Sequence, residues 1–215
     1  MSRVMKDSGI DWIGEIPKEW EVCKIKNKFT AYSGATPKTD NSLFWDGDII
    51  WVTPADYKTE DKIISKGKRN ISIEGVNSCG TNIIQPGSII FSKRAPIGLV
   101  AINDTPLCTN QGCISCIPNS NTNVLYYYFI MSILGEQFEL YGSGTTFKEI
   151  STNTFNNFSI LSPPLSEQQS IADYLDTKCA EIDELIALHE QMIIELKEYK
   201  KSLIFECVTG KREII

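Results

Sequence analysis

Two spacings of apolar positions divide this chain. In its first three quarters, short apolar runs lie at 48–53, 83–84, 88–92, 99–102 and 112–117, with the turn pairs Asp46-Gly47, Pro86-Gly87 and Asn103-Asp104 among them. Runs this short and this often interrupted predict an irregular, mostly β domain. One helical stretch is expected within it, from about Val124 to Tyr141, which lacks proline and holds the single glycine Gly135. The pattern changes once, at Ser162-Pro163-Pro164-Leu165-Ser166. The expected fold class is therefore α+β: a domain over residues 1–162, then one long coiled-coil helix within residues 163–215.

Two prolines forbid an earlier helix start, and Ser166 with Gln169 reads as a capping box. Beyond it, Leu175, Ile182, His189, Leu196 and Leu203 recur every seven residues, while Lys178, Leu185, Met192 and Tyr199 recur on the interleaved phase. Alternation by three and four is a coiled-coil seam. The expected dimerisation residues are Leu175, Ile182, Leu185, His189, Met192, Leu196, Tyr199 and Leu203. Ile186, Leu188 and Ile193 widen the stripe. Such a rod spans about 60 Å at 1.5 Å per residue, and the chain has no second helix of that length to cover it. His189, the only histidine, sits in the seam and reads as a packed or register-setting residue. Gly210 follows Val208-Thr209 and ends the helix in the usual way.

Composition narrows the picture without changing it. With 42% hydrophobic and 22% charged residues the chain is a folded protein. No apolar run approaches the roughly 20 residues of a membrane span, and the N-terminus lacks a secretory pattern, so a cytoplasmic protein is expected. The net charge of −6 is concentrated late: residues 1–165 hold 15 basic and 16 acidic side chains, residues 166–215 hold 6 and 11. A near-neutral domain can still present a basic face, and Lys58, Lys62, Lys66, Lys68 and Arg69 form a local cluster. Such runs are equally common as solvated surface loops.

Seven cysteines, an odd number, fit reduced thiols better than a disulfide framework. Cys113 and Cys116 form a C-x-x-C on a strand, where three-residue spacing points the sulfurs to opposite faces. They read as buried structural residues, and no second pair of cysteines or histidines completes a zinc site. No G-x-S-x-G elbow, P-loop, H-E-x-x-H or dinucleotide fingerprint is present. Gly142-Ser143-Gly144 reads as a loop. Ser162-Pro163-Pro164-Leu165 has neither the amide or carboxylate nor the aromatic of a methyltransferase tetrad. No catalytic residue, metal ligand or bound cofactor is expected. What remains is a domain rich in Asn, Ser and Thr, suited to hydrogen bonds with bases and phosphates.

Several segments together resemble the specificity (S) subunits of type I restriction-modification systems. They are Gly14-Glu15-Ile16-Pro17-Lys18-Glu19-Trp20, Ser33-Gly34-Ala35-Thr36-Pro37-Lys38, Phe44 to Pro54, Ser92-Lys93-Arg94-Ala95-Pro96-Ile97-Gly98, Thr109-Asn110-Gln111-Gly112, and Gly144-Thr145-Thr146-Phe147-Lys148-Glu149-Ile150. Pro163 to Ala172 and Lys200 to Lys211 are similar to the family's helical region. The family pattern implied is two target recognition domains, each followed by a helix, the helices packing antiparallel. This sequence has one of each, so a homodimer is expected to supply the missing helix, with a different half subunit or a truncated product as the structural alternative.

The resemblance implies double-stranded DNA as ligand, methyltransferase (M) subunits that bring S-adenosylmethionine, and a nuclease/translocase (R) subunit as a further partner. Two copies would read inverted half-sites of a bipartite target, about 60 Å being a little under two turns of B-DNA at roughly 34 Å each. The loop residues Thr36, Lys38, Lys93, Arg94, Asn110, Gln111, Thr145, Thr146 and Lys148 are the expected DNA contacts. Two other classes stay open: a stand-alone coiled-coil DNA-binding regulator, and a cysteine-dependent enzyme centred on Cys113.

Overall fold

The computed structural model describes residues 3–57, 61–94, 96–141 and 148–214. Among these, twelve strands and five α-helices follow in the order β1 (Met5–Asp7), β2 (Glu15–Pro17), β3 (Glu21–Lys24), β4 (Phe29–Ser33), β5 (Trp45–Val52), β6 (Ile63–Ile64), β7 (Arg69–Ile71), α1 (Ile73–Ser78), β8 (Ile89–Lys93), β9 (Ile97–Asn103), β10 (Leu107–Thr109), β11 (Cys113–Pro118), α2 (Val124–Ile133), α3 (Gly135–Tyr141), α4 (Thr152–Asn156), β12 (Ser159–Ser162) and α5 (Leu165–Val208). The α+β expectation holds.

A five-stranded sheet, β4-β11-β8-β9-β6, organises the first compact unit, which runs to Ala172. Side chains alternate across its central strands. Ile89, Phe91, Ile114 and Cys116 enter one cluster with Phe29, Tyr127, Phe138 and Phe155, while Ile90, Cys113 and Ala101 enter another with Val52 and Leu107. The two cysteines of the C-x-x-C thus lie on opposite faces, as their spacing requires. Phe91 packs against both Phe138 and Phe155, with centroids 5.0 and 4.8 Å apart. Each fully buried side chain of this size contributes about 1.5–3 kcal/mol of transfer free energy.

A three-stranded sheet, β10-β5-β7, carries the third cluster, built on Trp45, Trp51, Ile71 and Cys108. Here the sequence reading needs correction. Asp46-Gly47 is not a turn between strands but a bulge inside β5, where the register on β7 shifts between Trp45 and Ile49. Asp46 takes a left-handed φ of 59°, which a short polar side chain tolerates. Of the pair Ile83-Ile84, only Ile84 joins a neighbour, through a single bridge to Leu107.

Two helical expectations also change. The stretch from Val124 to Tyr141 divides at Leu134 into α2 and α3, where Gly135 meets the backbone of Gly98. The capping box at Ser166 and Gln169 is not the start of α5. The Pro164 carbonyl accepts from the backbone N–H groups of Glu167 and Gln168 at 2.9 and 3.0 Å, which places Ser166 inside the first turn. Gln169 Oε1 accepts instead from Asn123 Nδ2 at 2.7 Å.

The domain boundary moves for the same reason. The first unit does not stop at residue 162, because Gln168 and Ala172 are buried in it. Gln168 donates to the Pro163 carbonyl and accepts from the Asn123 amide at 2.8 and 3.1 Å. Arg3 donates to both carboxylate oxygens of Glu167 at 2.7 Å, and Trp20 Nε1 donates to one of them at 2.8 Å. Those bonds hold the Glu167 carboxyl below its usual range, the Arg3 bond most strongly.

The second unit, from Asp173 onward, is the remainder of α5 and its end. Ile182, Leu185, His189, Met192, Leu196 and Tyr199 are exposed along it, and Leu175 and Leu203 are partly exposed. His189 Nδ1 lies 2.7 Å from the Leu185 carbonyl; since a carbonyl only accepts, that nitrogen carries the proton. Gly210, at φ +70°, closes the helix, with Lys211 N–H bonded to Glu206 O at 2.8 Å and Gly210 N–H to Cys207 O at 3.3 Å.

Candidate nucleic-acid interface

Two tryptophans organise one group of candidates. Trp45 and Trp51 meet edge to face, with centroids 5.1 Å apart at 87°. A buried indole N–H needs an acceptor, and both find one in the same loop: Trp51 Nε1 donates to Ala35 O at 3.0 Å and Trp45 Nε1 to Lys38 O at 3.1 Å. From the other side, the Ala35 amide donates to Thr109 O at 3.0 Å. Gly34 is a requirement of that approach, because a Cβ there would collide with the Thr109 and Asn110 carbonyls. The loop is thereby fixed at both ends. Pro37 is buried between them and the Lys38 side chain is exposed.

Thr36 and Gln111 come together, the Thr36 hydroxyl donating to Gln111 Oε1. Gln111 is exposed at the tip of the turn that Asn110 builds. Asn110 Oδ1 accepts from the Gly112 amide at 2.8 Å, an Asx turn. The Asn110 backbone meanwhile bonds Val52 and Cys113. Its carboxamide is thus committed to shaping the turn that presents Gln111.

Lys93, Arg94 and Lys148 form a separate group. Lys93 is 8% exposed, and its ammonium lies 2.9 Å from Glu149, with Arg94 at 3.6 Å from the same carboxylate. A backbone bridge joins Arg94 to Glu149, and Lys93 O accepts from the Ile150 amide at 3.0 Å. Lys148 is exposed and its ammonium lies 3.4 Å from Glu139 O. Thr145 and Thr146 lie outside the described residues.

Sequence reasoning placed Arg69 in a charged run but missed its aromatic partner. Its guanidinium carbon stands 3.6 Å from the Trp45 ring centroid, a cation–π contact worth about 0.5–1 kcal/mol at an exposed site. Lys66 and Lys68 are exposed nearby in sequence, and Lys62 is partly buried. Lys58 lies outside the described residues.

The C-x-x-C cysteines offer no nucleophile. Burial pushes the Cys113 thiol up to about 12 and raises Cys116 further. Tyr57 Oη sits 3.8 Å from Cys113 Sγ and is itself raised by burial. A reactive cysteine needs the opposite shift, which argues against the cysteine-enzyme reading. Among the described residues no group of His, Cys, Asp and Glu is placed to hold a metal, and no helix is long and apolar enough to cross a membrane.

A mostly β unit with polar and cationic loops, continued by an amphipathic helix, has the architecture of a DNA specificity domain. The family profile of the type I restriction modification DNA specificity domain matches residues 17–198, and the chain belongs to that family. Curated relatives include the type I restriction enzyme MjaIX specificity subunit of Methanocaldococcus jannaschii, 41% identical over 166 residues, covering 76% of this chain and 38% of that protein. The EcoR124I/EcoR124II specificity subunit of Escherichia coli is 26% identical, covering 93% of this chain and 49% of that subunit. The chain therefore spans half or less of these relatives.

Solved structures agree on the fold. The HsdS subunit of Thermoanaerobacter tengcongensis matches with a TM-score of 0.69 at 19% identity, over 94% of this chain and 47% of that one. A chain from the complex assembly and conformational transition of the type I R-M system matches with a TM-score of 0.74 at 21% identity, over 89% and 46%.

Proposed function

We propose that this chain is a DNA-recognition subunit of a type I restriction-modification system, reading one half of a bipartite target and bringing methyltransferase subunits to it. The observation that carries this reading is a single chain that joins a specificity-domain fold to an unpartnered apolar seam. A contiguous apolar stripe on a soluble surface marks an interaction site, and a second copy of the same helix is the partner whose seam matches in length and period. Two copies related by a twofold axis place two recognition units on inverted half-sites.

The chain contributes recognition and scaffolding. Methyl transfer belongs to the methyltransferase partner, which binds S-adenosylmethionine, and cleavage belongs to a nuclease/translocase subunit where one joins. Thr36 and Lys38 on the tryptophan-held loop, with Gln111 on the turn beside it, are the residues of the expected set best presented to DNA, in the cytoplasm where the substrate resides. The cationic Lys93 and Arg94 serve chiefly to hold the 93–94 and 149–150 segments together.

Coexpression of the chain with a type I methyltransferase subunit from its own genome, followed by sequencing of modified adenines in host DNA, tests the proposal. Methylation at a bipartite inverted repeat, present only when this chain is made, is the expected result. Methylation that is absent, or independent of the chain, would overturn it.

A further inference from the structure

The cations of the first unit differ in what holds them, and Arg69, outside the expected set, shares a tryptophan with Lys38, which is within it. Arg3, Lys93 and Arg94 are spent on Glu19, Glu149 and Glu167. Lys38 and Arg69 are exposed, and neither makes an ion pair with a described residue. Both are fixed through one side chain, Trp45, whose N–H holds the Lys38 carbonyl and whose ring face carries the Arg69 guanidinium.

The strand register explains why they share it. Arg69 lies opposite Trp51 and Ile71 opposite Trp45 across β5 and β7, so Arg69 is on the sheet face that bears both tryptophans. β7 is the edge strand of that sheet, which leaves the outer side of Arg69 uncovered by another strand among the described residues.

We infer that Arg69, stacked on Trp45, and Lys38 beside it form a preorganised phosphate clamp that grips the DNA backbone without reading sequence. The inference rests on the DNA-binding reading above. A guanidinium laid flat on an indole keeps its N–H edges pointing outward, and a fork of donors matches a phosphate. Folded onto the ring, it has a shorter reach than an extended arginine and suits a backbone phosphate better than a base edge at the floor of a major groove about 8.5 Å deep. It contacts an anion that is brought to the surface, as a backbone phosphate is. Trp45 keeps the side chain from having to be ordered when DNA arrives, which favours contact.

The test is fluorescence anisotropy of the full chain on a mixed-sequence duplex of about 30 base pairs, across salt from about 50 to 200 mM. Each phosphate contact adds about 0.9 to the slope of log affinity against log salt. Arg69→Ala and Lys38→Ala should each weaken binding several-fold and flatten the slope by about 1, and the double variant by about 2. Lys38→Ala leaves the acceptor of Trp45 in place, since that bond uses the backbone carbonyl, so it reports on DNA even if Arg69→Ala loosens the sheet. Lys93→Met should leave the slope unchanged. If the wild type binds with steep salt dependence while both clamp variants match it, the clamp is wrong and the DNA-binding reading stands. If the wild type does not bind the duplex at the lowest salt, the DNA-binding reading itself fails.

Discussion

Gly98 and Gly135 meet backbone to backbone: a Cβ built on Gly98 would stand 2.5 Å from the Gly135 Cα. Gly98 also holds φ at +98°, a conformation that costs an L side chain about 1–2 kcal/mol. The contact joins β9 to the start of α3 and sets where the helical stretch breaks. Gly98→Ala should therefore lose about 2–4 kcal/mol, strain and overpacking together. The reverse substitution is different, because a Cβ on Gly135 finds its nearest neighbours at an ordinary 3.7 Å. Gly135→Ala should be neutral or stabilise by up to about 1 kcal/mol through helix propensity. Urea midpoints of the two variants check this, and equal losses would refute the asymmetry.

The pair of Lys93 and Glu149 permits a second asymmetric prediction. Removing one partner of an enclosed pair strands the other charge, at about 3–5 kcal/mol when both are buried. Glu149 is 39% exposed at its side chain, so water screens much of that, and Glu149→Ala should cost about 1–2 kcal/mol. Lys93→Met removes the charge and keeps the volume, leaving Glu149 with Arg94, and should be close to neutral. Chemical denaturation of both variants checks this, and a Glu149→Ala variant as stable as the wild type would refute the pairing.

Alkaline pH should destabilise the first unit. Burial raises Cys108 to about 11 and Cys113 to about 12, above an ordinary thiol value of 9.0, and raises Cys116, Tyr126 and Tyr127 as well. Between the two values the unfolded chain has released protons that the folded chain still holds, so stability falls as pH rises. It is fully present below about pH 8.5 and declines from about pH 9 upward. The urea midpoint should drop from pH 8 to about pH 10.5, and Cys113→Ala should reduce that drop. A flat profile would mean that these groups are solvated in the native state.

What the sequence made legible was periodicity. Alternation along 112–117 correctly sends Cys113 and Cys116 to opposite faces, and the seven-residue repeat matches the one long helix. Partnerships between distant residues were not legible. Nothing local tells that Asp46-Gly47 is a bulge rather than a turn, since the strand resumes only because β7 pairs on both sides of it. Ser166 and Gln169 satisfy a capping pattern, yet the Pro164 carbonyl starts the helix and Asn123 engages Gln169. The same limit governs the candidate interface: Lys93 looks like a free cation until Glu149 is placed on it, and Arg69 looks like one of a run until Trp45 is placed beneath it.

The charge on α5 predicts how two copies would pair. From Asp173 to Glu190 the helix carries six acidic residues and one lysine; from Gln191 to Val208 it carries three acidic residues and three lysines. A parallel pair would set the acidic halves side by side, whereas an antiparallel pair sets each against the neutral half of the other, the lower-energy arrangement. The ends of the seam provide a test. Leu175→Asp alone, Leu203→Lys alone and Leu196→Asp should each weaken a dimer seen by light scattering as twice 24.1 kDa. Leu175→Asp combined with Leu203→Lys in one chain should recover dimerisation at low salt, because antiparallel pairing brings the new acid of one copy near the new base of the other. In a parallel dimer the same double variant faces acid with acid and base with base, and would be the weakest of the series. A wild type that is monomeric at micromolar concentration would instead assign the seam to a different helix.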